Sequence, residues 1–146
     1  MSNQSHHRNE SDAVLRAAID RSLRHPVMFF FTSGAAWLAV SLLLGLISSA
    51  KMHAPGFLDG CPWLGFGRVR AAHIDTMVYG WGCQAAFGVL IWLMARLSRH
   101  EARNSGTILV AGHLWNIGVA LGTIAVLGGA STGISWMEFP AFVWPV

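Results

Sequence analysis

Two imidazoles and one carboxylate fall in runs otherwise fit for a membrane interior: His73, His113 and Asp75. An ionisable group at that depth is expensive, which makes each a candidate for function. A neutral imidazole facing across a helix interface is what an axial ligand of a haem iron requires. A b-type haem also carries two propionates, which need cations near water. Arg70 lies three residues before His73, and Arg68 two before that. Residues at i and i+3 share a helix face, so one face can bring an imidazole to iron and a guanidinium to a propionate. The same residues also allow a plainer account: a histidine hydrogen-bonded to a neighbouring helix, and two arginines that snorkel to the interface.

The other polar residues are weaker candidates. Met77 is a ligand by type, but it shares a helix with His73, so the two cannot hold opposite faces of one haem. Asp75 points to a different face. It pairs with Arg68 or Arg70, faces a polar pocket, or sits in water at the rim. His113 fails as a second axial ligand. Adjacent helices run antiparallel, which puts it roughly 24 Å from His73 in depth at 1.5 Å of rise per residue. Trans ligands of one iron are about 4 Å apart, given metal–imidazole bonds near 2 Å. His113 reads instead as a hydrogen-bonded interior histidine, or as part of a separate redox or proton path. The second ligand has to come from a further helix or another subunit.

These residues need helices that span a bilayer, and the composition supplies them. Of the 146 residues, 53% are hydrophobic and 12% charged. A soluble domain carries about 25% charged residues. Residues 26–50 hold no charge over 25 positions, and about 20 suffice to cross a bilayer core. Residues 71–95 and 107–129 give two more spans, separated by a Gly/Pro-rich loop at 51–70 and a polar one at 96–106. Pro26 is placed at the start of the first span. Gly80, Gly82, Ala85, Ala86 and Gly88 supply the close approach a flat macrocycle requires. Residues 1–12 read as disordered and 13–24 as a short amphipathic helix on the membrane surface. The expected architecture is an all-α integral membrane helical bundle of three transmembrane helices. Residues 1–24 form a tail and 25–146 the membrane domain. The apolar final run FPAFVWPV reads as a fourth helix beginning, and so as the N-terminal portion of a larger polytopic bundle, in preference to a tail that packs on a partner.

Seven of the ten Lys and Arg residues lie in the tail and the second loop; Lys51, Arg68 and Arg70 lie in the first. That bias puts the N-terminus in the cytoplasm. The polar first 24 residues exclude a cleavable signal peptide. The net charge of +3 comes from arginines flanking apolar runs, which excludes a nucleic-acid footprint. Cys61 and Cys83 fit no metal pattern and read as structural, unpaired thiols.

The run Phe66-Gly67-Arg68-Val69-Arg70-Ala71-Ala72-His73 resembles the second-helix signature F-G-R-x-R-P-x-H of the catalytic subunit I of cbb3-type cytochrome c oxidases, within the haem-copper oxidases. The preceding Trp63-Leu64-Gly65 and the later Glu138-Phe139-Pro140 are similar to flanking elements of that family. Ala71 stands where the family usually has Pro, and Ile74-Asp75 where it usually has Thr-Asn. The resemblance implies that His73 is an axial ligand of a low-spin haem b, with Arg70 and Arg68 beside its propionates. It implies an inner-membrane respiratory oxidase that takes electrons from c-type cytochromes and reduces O2 to water. The high-spin haem and copper belong to later helices of that family. Nitric oxide reductase catalytic subunits share an R-x-x-H run at this place. A non-catalytic membrane subunit that binds haem across a dimer interface, or merely packs, is the reading from another class.

Overall fold

A computed structural model describes residues 2–143. Every regular element among them is helical, and three helices are long and apolar enough to cross a membrane. The first, α1 (Ser2–His53), is continuous through Pro26. The second runs Phe66–Ser98 as three joined pieces: α2 (Phe66–Asp75), a π-helical wide turn (Thr76–Gly82), and α3 (Cys83–Ser98). The third is α4 (Ser105–Gly128). The apolar side chains on the outside, such as Leu43, Leu46, Met94, Leu97 and Val110, are largely exposed. Bilayer-facing helices look like this, because lipid and not protein covers them.

The sequence separates a tail and a short surface helix from the first span at Pro26; the structure joins them into one helix. Pro26 lacks the amide that would bond Ser22, but the segment before it is held from the side. Ile19 and Leu23 are each 1% exposed. Asp20 accepts two hydrogen bonds from the Arg96 guanidinium, at 2.8 and 2.6 Å, and one from Trp92 Nε1. Arg99 pairs with Asp12, and the Ala102 amide donates to Ser22 Oγ. Tertiary contacts of this kind outweigh one lost helical bond. The extension therefore docks on the end of α3 and the loop beyond it. That end of the bundle is its tail side, and the end bearing His53 and Gly65 its far side. Residues 144–146 of the apolar final run lie outside the described residues.

Helix α2 starts at Phe66, five residues ahead of the position expected for the second span, so Arg68, Arg70 and His73 sit on one helix. At the other end, α4 stops where Gly129 turns left-handed (φ 100°) and its amide reaches back to Ala125 and Val126. A left-handed glycine is the usual way to end a helix. The far half of the bundle is closed by Leu44, Val69, Ala72, Val119, Val126 and Phe139. The Phe139 ring lies on Gly122, where a Cβ would come within 2.6 Å of it. Cys61 and Cys83 are both free thiols.

Candidate functional site

His73 is clamped to α1 by Ser41. The Ser41 carbonyl takes the proton of His73 Nδ1 at 2.8 Å, and Ser41 Oγ donates to the His73 carbonyl at 2.9 Å. Ser41 itself is fully buried. In a neutral imidazole, a hydrogen bond from Nδ1–H to a backbone carbonyl leaves the lone pair at Nε2, the form a metal ligand takes. Among the described residues no hydrogen bond occupies Nε2. The ring is half-buried and lies edge-on over Gly45, where a Cβ would come within 2.8 Å of Cε1 and 3.3 Å of Nε2. Neither Ser41 nor Gly45 stands out in the sequence. The signal available there is their small size, four apart on the first span.

The helix bends its rules directly after His73. Through the wide turn the chain bonds amide to carbonyl five residues apart, as Cys83 does to Val78. Such π-turns are rare and cluster at functional sites. Met77 lies inside this turn, so its position follows the widened backbone. Two glycines of this helix, Gly80 and Gly88, pack against α1. A Cβ on Gly80 would strike Trp37 at 2.7 Å, and one on Gly88 would touch Phe30 and Phe31. Both positions are close-packed on α1 aromatics.

The two arginines divide. Arg68 donates to the Leu127 carbonyl at 3.2 Å and to the Pro62 carbonyl at 3.1 Å, and its guanidinium covers Gly129. It closes the C-terminus of α4, where cations are favoured. Arg70 is exposed, and among the described residues no hydrogen bond or ion pair holds it. Only Arg70 is thus left open to a ligand on the His73 helix. Lys51 is the unexpected cation: its side chain is 3% exposed, paired at 3.3 Å with Asp59 of the following loop.

Asp75 is neither at the rim nor paired with an arginine. It is fully buried, and both carboxyl oxygens lack a hydrogen-bond partner among the described residues. The backbone amides of Glu138 and Phe139 face it without closing a bond of normal geometry. Glu138, itself buried, accepts from Ser131 Oγ at 2.6 Å. A buried polar group left unbonded costs about 1–3 kcal/mol, and more when charged. Asp75→Asn keeps the shape and removes a buried charge that has no partner among the described residues, so it is expected to stabilise the protein by about 1 kcal/mol or more. The check is the thermal midpoint in detergent. A lower midpoint than wild type would mean the carboxylate has a partner that the amide cannot replace.

His113 lies far from His73. Its ring stacks on Phe29 at 4.5 Å, and Nδ1 bonds the Leu109 carbonyl at 2.7 Å. Phe29 is twelve residues of α1 from Ser41, about 18 Å along the helix at 1.5 Å per residue. The two histidines cannot hold one iron. No group of three or more His, Cys, Asp and Glu residues among those described is arranged to hold a metal ion. His73, half-buried and with Nε2 unbonded among the described residues, fits an axial position; His113 makes the same kind of Nδ1 bond but lies exposed beside Phe29.

Neither a curated protein nor a solved structure matches the chain. A family model does, over residues 25–146, and its description is Cytochrome C and Quinol oxidase polypeptide I.

Proposed function

The chain belongs to the cytochrome c and quinol oxidase polypeptide I family, a family of membrane oxidoreductases, and from that membership we propose that it supplies His73 as an axial ligand to a low-spin haem b. The observation that carries the reading is the Ser41–His73 clamp, which leaves Nε2 free. The role is electron relay within a respiratory terminal oxidase that reduces O2 to water. When bound, the haem supplies a one-electron couple; the protein sets its position and the charge around it.

Each nearby residue has a part in this. The Ser41 carbonyl holds the Nδ1 proton, which fixes the tautomer and makes the ring a better donor to iron. Arg70, exposed on the far side, provides a cation for a propionate. Positive charge there stabilises the more electron-rich form and raises the potential. Arg68 reaches the same region only by way of α4, whose end it closes. The Phe66-Gly67-Arg68-Val69-Arg70 run favours a cbb3-like oxidase fed by c-type cytochromes. The arginine bias favours an N-terminus in the cytoplasm, and the resemblance to cbb3-type oxidases favours the inner membrane. The second axial ligand, the high-spin haem and copper are assigned to residues outside this chain.

The test uses the native complex, purified through a tag on this chain. Its reduced-minus-oxidised spectrum is recorded with and without CO. The expected result is a b-type signal with a second, CO-sensitive component. Absence of any b-type signal would overturn the assignment. O2 and nitric oxide turnover by the same preparation then separate the oxidase from the reductase reading.

A further inference from the structure

The wide turn after His73 is held by side chains. In an α-helix each carbonyl takes the amide four residues on; here three carbonyls in eight residues take side-chain donors. The His73 carbonyl accepts from Ser41 Oγ, the Tyr79 carbonyl from Trp115 Nε1 at 2.9 Å, and the Gly80 carbonyl from Gln84 Nε2 at 2.7 Å. Gln84 is fully buried and all its hydrogen-bonding capacity is used. Its Nε2 also donates to Asn116 Oδ1, and its Oε1 accepts from Asn116 Nδ2 and from Ser33 Oγ. Asn116 is completed by Trp37 Nε1 and the Gly112 carbonyl. The network contains no charge, joins α1, α3 and α4, and leaves no amide hydrogen of Gln84 or Asn116 unpaired.

We infer that Gln84, Asn116 and Trp115 are positioning residues for His73: they hold the wide turn open and so fix how the ring meets its ligand. A π-turn persists only where the surroundings favour it over an α-helical turn. Its two ends are pinned separately, by Ser41 at His73 and by the amide network at Gly80. A satisfied buried network specifies one arrangement, and a partly satisfied one is worse than none. Removal of Gln84 strips the Gly80 carbonyl of its side-chain donor and leaves Asn116 half-bonded. The turn then relaxes, and the change is transmitted to His73 seven residues away.

This inference rests on the reading of His73 as a haem ligand, and the experiment separates the two. Gln84→Leu and the milder Trp115→Phe are made in the whole complex, with His73→Ala beside them. Two quantities are read: the electron paramagnetic resonance g-values of the oxidised low-spin haem, and amide hydrogen exchange over residues 73–88. In Gln84→Leu the expected result is a shifted low-spin signal with a new high-spin fraction, and exchange faster by tenfold or more. In Trp115→Phe, whose ring keeps its place against Phe87, the same changes appear in smaller degree. Wild-type g-values and exchange in Gln84→Leu overturn the inference; if that variant does not assemble, the same result in Trp115→Phe does so. A low-spin signal unaltered in His73→Ala overturns the haem reading itself, whatever the network variants do.

Discussion

His73→Ala is expected to abolish the low-spin b-type signal of the assembled complex while the chain still folds and inserts. The fold depends little on the imidazole. Among the described residues its ring hydrogen-bonds only to Ser41, through Nδ1, with the carbonyl at 2.8 Å and Oγ at 3.1 Å, and a typical bond of that kind is worth about 1 kcal/mol net. Alanine is the best helix former, and Ser41 Oγ retains its bond to the carbonyl of residue 73, which is backbone. The functional loss is close to complete, because no other histidine of the described residues can take over. His113 is turned to Phe29 and its own helix. His113→Ala is therefore the control, and is expected to leave the low-spin spectrum unchanged. If both variants keep the signal, the ligand lies outside this chain. If only His113→Ala loses it, the axial ligand is His113 and not His73.

The spans were legible because an uncharged run of helical length has few other uses. His73 was legible because an imidazole at that depth demands a reason, and the i, i+3 pairing with Arg70 needed only the early helix start that Phe66 provides. Arg68 shows where local pattern stops being informative. Its partner, the Leu127 carbonyl, is 59 residues away, and nothing near it in sequence announces a cation that caps another helix. The wide turn was hidden for the same reason. Its donors, Trp115 and Gln84, are ordinary residues of apolar spans until the fold aims them at Tyr79 and Gly80. Pro26 misled in the opposite direction. Proline is common at the first turn of a helix, but contacts made by Asp12, Ile19, Asp20 and Leu23 carry α1 through it. Of the small residues of the second span that suggested a macrocycle, Gly80 and Gly88 are approached instead by Trp37 and Phe31. Size alone does not say what comes close.

Gly45→Ala is expected to damage the site nearly as much as loss of the histidine, with a different signature. Alanine normally stabilises a helix interior by about 1 kcal/mol over glycine, so α1 should suffer no intrinsic loss. The added methyl, however, would lie 2.8 Å from His73 Cε1 and 2.9 Å from Nδ1, closer than carbon atoms in contact, which sit about 3.5–4.0 Å apart. Backbone on both sides is fixed by packed helices, and the imidazole is the part that can move. It must slide from α1, which breaks the Nδ1 bond to Ser41 and frees the ring to rotate. The haem is then expected to bind weakly or with altered geometry, read as a fall in haem per complex and a shifted low-spin signal. Any electron transfer through this haem should fall with the haem content. Gly34→Ala on the same helix is the matched control: its Cβ would meet Gln84 at an ordinary 3.6 Å. Stability gained in Gly34→Ala, with the spectrum intact, together with haem lost in Gly45→Ala, would place the effect on the imidazole and not on the helix. Equal behaviour of the two variants would mean that the His73 ring does not rest on Gly45 in the assembled protein.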